Sequence, residues 1–448
     1  MDPFEIQLPA SVRFAISRLE SAGFEAYAVG GCVRDSLLCR EPNDWDITTS
    51  ARPEQTAACF ADLRTIETGI QHGTLTVLVD REPLEITTFR RDGAYADNRH
   101  PISVTFSDSL ADDLSRRDFT VNAMAYHPTR GLMDPFGGRA DLSRAVIACV
   151  GDPSTRFHED GLRILRAIRF SSVLGFSIAP ETAEAIHTCK HLLANIAAER
   201  IRVEFVKLLC GISAVPILRE YSDVIAEFIP ELAACFAFDQ NCKYHCFDVY
   251  EHTLHALEAE QTRDPVTRLA ILLHDVGKPL TYTEDSDGGH FKGHGPVGVE
   301  LSNRILHRLR FDNATIDAVT RLVDYHDRAF PAEERAVKRL MQKLSDRDIL
   351  RLMEVQRCDR LAHAAPYNIP PRTLTEIPRL MQKIRADGAC LSLKTLAVNG
   401  GDLIALGMKP GRELGVLLDA LLDDVVEGRL PNERDALLEA ARKKAKKE

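Results

Sequence analysis

The chain has no long apolar run. Nowhere in its 448 residues does a stretch approach the roughly 20 continuous apolar residues of a membrane span, so no membrane association is expected. The opening MDPFEIQLPASVRF lacks the basic and then apolar regions of a secretory signal. Closely paired cysteines are absent too. The 11 cysteines are dispersed, Cys242 and Cys246 being the nearest approach to a pattern. An odd, scattered set suits buried or neutral thiols in a reducing cytoplasm better than a disulfide framework. Net positive charge is also missing: 56 Lys and Arg face 66 Asp and Glu, for a formal charge of −10. Any nucleic-acid-binding face must therefore gather its basic residues locally. The basic run ARKKAKKE reads as a solvated helix end. No repeat of roughly 20 to 50 residues is evident.

What is present is ordinary globular composition, 45% hydrophobic and 27% charged, and length for about three domains. Ser11 to Ala22 carries Val12, Ile16 and Leu19 at helical spacing and stops at Gly23. Ala26 to Val29 reads as a buried strand running into Gly30-Gly31. Ile47 to Thr49, Thr74 to Val79 and Leu84 to Phe89 are β-branched runs, hence strands. Asp152-Pro153 reads as a helix N-cap followed by proline at the first helical position. Beyond it the period is helical almost throughout, with Leu414 to Val426 strongly amphipathic. The expectation is an α+β chain: a small mixed-sheet head over 1–145, then an all-α remainder. That remainder divides into a neck and body at 146–240, a histidine-rich domain at 241–365 and a helical tail at 366–448.

The head holds the densest cluster of chemistry, VGGCVRDSLL followed by NDWDITT. Asp44 and Asp46 stand two apart at the start of a β-run, so both carboxylates project from one face and Trp45 from the other. Adjacent carboxylates repel, and a divalent cation stabilises them; Mg²⁺ takes one or two carboxylates together with substrate phosphates. Glu85, on a later strand, can complete a two-metal clamp. Gly30-Gly31 makes a tight turn into a helix N-terminus, where amides favour an anion. Arg34, one turn further on, can reach a triphosphate.

These segments carry a resemblance. GGCVRD, DWD, TGIQHGT, EITTFRRDGAYADNRHP, DDLSRRDFTVNAMAY, DPFGG, EDGLRILRAIRF and ERIRVE run in order over about residues 26 to 204. They resemble the successive motifs of class II (bacterial-type) CCA-adding enzymes and their poly(A) polymerase relatives. NGGDLIALGMKPGRELGVLLDALLDDVVEGRLPNERDALL resembles that family's C-terminal helical region. The resemblance implies a polymerase-β-like nucleotidyltransferase head, with Asp44 and Asp46 as Mg²⁺ ligands. It places Gly31 and Arg34 at the triphosphate and Arg117 on the nucleotide, with Asp118 and Asn122 reading the ribose 2′-hydroxyl. It also implies tRNA, CTP and ATP as partners, bound by a chain with no evident protein partner.

In EDGLRILRAIRF, Asp160 and Arg163 stand three apart on what reads as one helix, and so share a face. Cytosine and adenine both present an amino donor beside a ring-nitrogen acceptor. A carboxylate can accept from the first while a guanidinium donates to the second; uracil and guanine present the reverse. A pocket selective for CTP and ATP follows. The resemblance assigns these positions the same role and adds Arg166 and Arg169 as nucleotide contacts.

VYEHTLHAL, LAILLHDVGKP, GHGPVGVELSNRIL, LVDYHDR and VQRCDRLAH resemble HD-domain phosphohydrolases. His274-Asp275 closes an apolar helix, where two adjacent polar groups are costly unless they bind something. His252, His274, Asp275 and Asp359 form the expected primary site, with His294 and His326 holding a second ion. Imidazole mixed with carboxylate suits a divalent transition metal. The expected activity is template-independent CCA addition to tRNA 3′ ends, with an added phosphohydrolase function. Poly(A) synthesis, CC-only or A-only addition, and a phosphohydrolase with an RNA-binding head stand as alternatives. The polar segment RRDGAYADNRHP is the candidate for switching C addition to A addition.

Overall fold

The first helix, Ala10–Ser21, forms because Val12, Ala15, Ile16 and Leu19 line one stripe, and all four are buried. It packs against the strand that follows, β1 (Ala26–Val29), whose four residues are all buried. In this computed structural model the described residues are 5–67, 69–70, 73–93, 104–286 and 288–445. The chain divides into two compact units, Met1–Ala233 and Ala234–Glu448.

Besides a parallel pair, Val146–Ile147 with Ser177–Ile178, the first unit contains β1 and the strands β2 (Asp46–Thr49), β3 (Thr65–Ile66), β4 (Thr74–Val79), β5 (Glu82–Thr88), β6 (Arg90–Asp92), β7 (Val104–Phe106), β8 (Ala125–His127) and β9 (Gly131–Met133). Seven of them make one sheet in the order β3-β4-β5-β2-β1-β8-β9. Its central pair, β2 and β5, is parallel and the other pairs are antiparallel, so the sheet is mixed as expected. β4 alternates half-buried and buried residues, as its Thr-Leu-Thr-Val-Leu-Val pattern requires. β6 and β7 form a separate antiparallel pair. Of the proposed switching segment, residues 94–101 lie outside the described residues, as do Thr68, Gln71 and His72 of the TGIQHGT motif.

After the sheet the unit turns helical. Asp152 caps helix Pro153–Glu159, its carboxylate accepting from Thr155 N at 2.7 Å with proline at the first position. Helix Leu162–Leu174 and helix Ala198–Leu209 pack along each other.

The second unit is helical apart from one two-stranded pair, Thr283–Asp285 with Gly288–His290. Helices Val249–Ala259, Pro265–Leu273, His294–Arg308, Asn313–Tyr325 and Asp346–Leu361 pack around a common centre. Leu254, Leu257, Leu269, Leu322 and Leu352 are among its buried residues. Leu414 to Val426 lies within helix Arg412–Val426, as its amphipathic spacing predicts. In the basic tail, Lys443 pairs with Glu439 at 2.6 Å and Lys444 with Asp424 at 3.0 Å.

Candidate functional sites

Register brings the head's acids together. β2 and β5 pair in parallel with Asp46 directly opposite Glu85, a separation of only about 5 Å between adjacent strands. Asp44 lies two residues before Asp46, just ahead of the strand, and all three acids are exposed. Asp46 feels both neighbours. Burial of its surroundings raises its pKa, and Glu85 and Asp44 raise it further, against the opposing pull of Arg117. Three carboxylates that disfavour one another's charge, with oxygens open to solvent, are a donor set for a hard divalent cation.

Gly30 joins β1 to helix Gly31–Leu37 with φ 84° and ψ −128°, a conformation essentially reserved for glycine. A Cβ at Gly30 would meet Arg117 Nη1 at 2.9 Å. The glycine is thus what lets Arg117 approach the turn. Arg117 is held by Asp113, which is fully buried. Asp113 also accepts from Arg116 at 2.7 Å and from the Thr48 hydroxyl at 3.0 Å. Burial acts to raise Asp113, but Arg117, Arg116 and Thr48 outweigh it and leave its pKa lowered. Arg117 Nε is buried with no hydrogen-bond acceptor, a donor available to a ligand.

A second chain of contacts runs from the glycine turn to the helices. Arg34, buried, donates through Nη1 to Asn122 Oδ1 at 2.6 Å. Asn122 donates to Asp118 Oδ1 at 3.1 Å, and Arg166 Nε donates to Asp118 Oδ2 at 2.8 Å. Burial alone would raise Asp118; Arg166, Asn122 and Arg163 overcome it and hold the acid at about 2. Arg169 stacks on the Phe170 ring, 3.5 Å from its centroid.

One expectation is corrected here. Asp160 and Arg163 do not share a helix face. Asp160 is extended, at φ −139° and ψ 104°, between helix Pro153–Glu159 and helix Leu162–Leu174. Its carboxylate accepts from Leu162 N at 3.0 Å, capping the second helix instead of continuing the first. Gly161 fits the break because Leu192 O would lie 3.1 Å from any Cβ there. Asp160 pairs with Arg200 at 2.8 Å. Arg163 is buried and held by Glu159 at 2.6 Å and by the Arg116 carbonyl at 2.8 Å. Arg200, Glu204, Glu159 and Asp113 were not singled out from the sequence. The only signal for the first two was their spacing of four in ERIRVE.

In the second unit His252, His274 and Asp359 form one group, and Asp275, His294 and His326 another, each with its donor atoms within 4.8 Å of one another. Asp275, expected in the first group, faces both. Its Oδ2 lies 3.1 Å from His274 Nε2 and 3.6 Å from His252 Nε2, while Oδ1 lies 3.6 Å from His294 and 3.8 Å from His326. His245 and His363, absent from the expected set, form a third group with His252. Lys278, also unforeseen, reaches Asp275 at 2.7 Å; its signal was the Lys four residues after His274.

The imidazole tautomers are fixed by backbone. Nδ1 of His252, His274, His294 and His326 each donates to a carbonyl, those of Ala362, Ile271, Phe291 and Val323, at 3.2, 2.7, 2.9 and 2.7 Å. A carbonyl can only accept, so each Nδ1 carries a proton and Nε2 is the atom each ring turns toward the centre. The Nε2 atoms of His294 and His326 lie 3.1 Å apart. Facing lone pairs at that distance call for a proton or a cation between them. His274 Nε2 and Asp275 Oδ2 are buried without a hydrogen bond of normal geometry. Burial would lower His274, yet Asp275 and Asp359 push it up to about 10, so the group attracts positive charge strongly. Beside it a cavity of about 290 Å³ is lined by Tyr244, His245, Lys278, Phe291 and His363.

Comparison with known proteins agrees with the order of these parts. Residues 26–148 match the poly A polymerase head domain, 175–236 the "Probable RNA and SrmB- binding site of polymerase A", and 298–441 tRNA nucleotidyltransferase domain 2. The CCA-adding enzyme of Limosilactobacillus fermentum is 36% identical over 446 residues, covering 97% of each chain. That of Geobacillus stearothermophilus is 36% identical over 433 residues, covering 94% of each. A Bacillus stearothermophilus CCA-adding enzyme solved with CTP superposes with a TM-score of 0.75 at 31% identity, covering 98% of this chain and 100% of that one. A Thermotoga maritima CCA-adding enzyme complexed with tRNA shares the fold, with a TM-score of 0.58 at 21% identity over 96% of this chain and 93% of that one. With full-length relatives of this identity and a mixed-sheet head carrying three converging acids, the chain belongs to the CCA-adding enzymes.

Proposed function

We propose that this chain adds CCA to tRNA 3′ ends from CTP and ATP without a template, releasing pyrophosphate at each step. The observation that carries the reading is the parallel register that sets Asp46 opposite Glu85, two residues from Asp44. These three acids would hold Mg²⁺, which supplies charge neutralisation to the phosphates and acidifies the attacking hydroxyl. The tRNA 3′-hydroxyl attacks the α-phosphate, and no covalent enzyme intermediate is needed. Arg117 and Arg34, with Gly30 and Gly31 at the helix entrance, receive the triphosphate. Asp118 and Asn122 read the ribose 2′-hydroxyl. Full-length relatives named for CCA addition favour this over poly(A) synthesis. Such chemistry belongs to the cytoplasm, where tRNA is matured.

Base choice falls to Asp160 and Arg163, with Arg166 and Arg169 beside them. Asp160 pairs with Arg200 and Arg163 with Glu159, so the base meets the carboxylate and guanidinium edges that those partners leave open. A mispolarised uracil or guanine leaves buried groups unpaired, at several kcal/mol.

The second unit carries an HD-type metal site within 241–365, between body and tail, that hydrolyses a phosphate ester. His252, His274 and Asp359 would hold one transition-metal ion, and His294 and His326 another, with Asp275 between them. The support is the set of four imidazoles whose Nδ1–H groups are anchored on backbone carbonyls so that Nε2 turns inward toward the acids.

Purified protein is incubated with tRNA lacking its 3′ end and labelled CTP, ATP or both, and the products are sequenced. CCA is expected with both nucleotides and CC with CTP alone; homopolymeric A would sink the assignment. Asp44→Ala abolishes incorporation and leaves metal-dependent phosphatase activity, whereas His274→Ala does the reverse.

A further inference from the structure

The acids and imidazoles of the second unit stand where two cavities meet. The smaller, of about 290 Å³, and a larger one of about 670 Å³ share His326, Asp327, Asp359 and His363 along one edge. Their linings differ in what they offer a ligand. Lys278, in the smaller lobe, is buried and already committed. It donates to Asp275 Oδ2 and to Gln240 Oε1, each at 2.7 Å, and its third hydrogen faces His245 Nε2 at 3.5 Å. An ammonium has three donors, so none remains for a phosphate oxygen. What the smaller lobe still offers is ring surface, from Tyr244, His245 and Phe291. The larger lobe sets Arg328 and Arg360 beside an apolar wall of Phe330, Leu374 and Ile377. Arg328 is steadied over the Tyr325 ring at 4.4 Å and by Asp324 at 2.7 Å, and Arg360 gives Nη1 to the Tyr367 carbonyl at 3.5 Å. A guanidinium has five donors, so both retain some for an anion. Gln356 commits both amide hydrogens to the carbonyls of Tyr325 and Arg328, at 3.2 and 2.8 Å, which leaves its Oε1 as an acceptor on the same lobe.

We infer that the second-unit centre prefers a linear phosphodiester to a monoester, with an uncharged nucleoside arm in the smaller lobe and a further-phosphorylated arm in the larger. The inference deepens the reading of this centre as a metal-dependent phosphoesterase and rests on it. A monoester has one organic arm and leaves a lobe unfilled. It also brings a second negative charge beside Asp327, whose carboxylate lines the shared edge. A linear diester carries one charge and fills both lobes. A nucleoside 2′,3′-cyclic phosphate has both ester oxygens on one sugar, so it too fills one lobe. In the step itself water gives its oxygen to phosphorus and a proton to the departing alcohol. The bond that breaks is the P–O bond to the smaller-lobe arm, since Arg328 and Arg360 hold the other arm, on which the phosphate stays as a monoester.

The test compares the 5′-phosphorylated dinucleotide pApA with ApA, 3′-AMP and adenosine 2′,3′-cyclic phosphate. With Mn²⁺, pApA is expected to be hydrolysed about tenfold faster than 3′-AMP or the cyclic phosphate, giving adenosine and pAp. Equilibrium dialysis against protein stripped of metal by a chelator reads binding without turnover. There pApA should bind about tenfold more tightly than ApA, and Arg360→Gln and Arg328→Gln should each reduce that advantage. Tyr244→Leu should weaken both dinucleotides alike. All three side chains lie at the surface or half-buried, so the variants keep the fold. Hydrolysis of 3′-AMP or the cyclic phosphate as fast as pApA overturns the inference and leaves the phosphoesterase reading standing. Undiminished preference for pApA in both arginine variants overturns it as well. Should none of the four be hydrolysed with Mn²⁺, Co²⁺ or Ni²⁺, the phosphoesterase reading itself falls, and this inference with it.

Discussion

Two adjacent glycines should respond in opposite directions to the same methyl group. Gly30 has φ 84° and ψ −128°, and an added Cβ meets Arg117 Nη1 at 2.9 Å. Gly31 is the first residue of helix Gly31–Leu37, and its Cβ would meet only Arg34 Nη2, at an ordinary 3.7 Å. Gly30→Ala must force an L residue into a region that costs about 1–3 kcal/mol, and must push the Arg117 head aside. Gly31→Ala removes a flexible residue from a helix and is neutral or stabilising by up to about 1 kcal/mol. The two variants should therefore differ by about 2–4 kcal/mol in unfolding free energy. The only tryptophan, Trp45, sits between the paired acids, so urea unfolding followed by its fluorescence reports on the head. Displacing Arg117 also removes a charged hydrogen-bond donor, and the KM for CTP and ATP should rise about tenfold or more in Gly30→Ala, beyond any change in Gly31→Ala. Equal stabilities and equal KM values for the two variants would refute the argument that the glycine turn makes room for Arg117.

Other consequences follow from buried charge. Asp118 is held at about 2 against an ordinary 3.8; at about 1.4 kcal/mol per pH unit it contributes about 2 kcal/mol. A depressed folded pKa means that this contribution is complete above pH 3.8 and lost as pH falls through 2. Asp118→Asn should therefore lower the urea midpoint at neutral pH, and the difference from wild type should shrink below pH 4. Asp113→Ala removes the buried carboxylate that Arg116, Arg117 and Thr48 share and should cost about 3–5 kcal/mol, read by the same fluorescence; a loss under 1 kcal/mol contradicts a structural role for Asp113. If the second unit holds the proposed transition metal, Asp275→Asn should at least halve the metal retained after dialysis, by elemental analysis, while CTP incorporation persists. Full metal content would show that Asp275 does not serve both groups.

Local signals were legible in the sequence wherever a short range of residues decides the outcome. The helix Ala10–Ser21, the strand Ala26–Val29, the strand Thr74–Val79 and the Asp152 cap each follow from spacing or capping within a dozen residues. The imidazoles and acids of the second unit were legible as types and order, since adjacent His274 and Asp275 at the end of an apolar helix have no bland explanation. Of the six expected ligands, only Asp275 falls outside the expected grouping. Asp275 belongs to both because its two oxygens point to different sides, a matter of rotamer and helix packing. His245 and His363 join the centre from segments just outside the helices Val249–Ala259 and Asp346–Leu361, a placement no local pattern encodes.

The failure at Asp160 has the same cause. Three-residue spacing implies a shared face only if the helix runs unbroken, and here the extended backbone of Asp160, whose carboxylate caps the next helix at Leu162 N, interrupts it. What the sequence by itself determined was the residue types and their order: paired acids after a glycine turn, arginines downstream, and a histidine-rich segment beyond them. Only the tertiary structure decided the partners. Glu85 meets Asp46 through strand register across 39 positions, and Arg200 meets Asp160 across 40. Chain entropy does not favour such contacts; they exist because the sheet and the helix pair bury apolar faces that dictate where these polar residues end up.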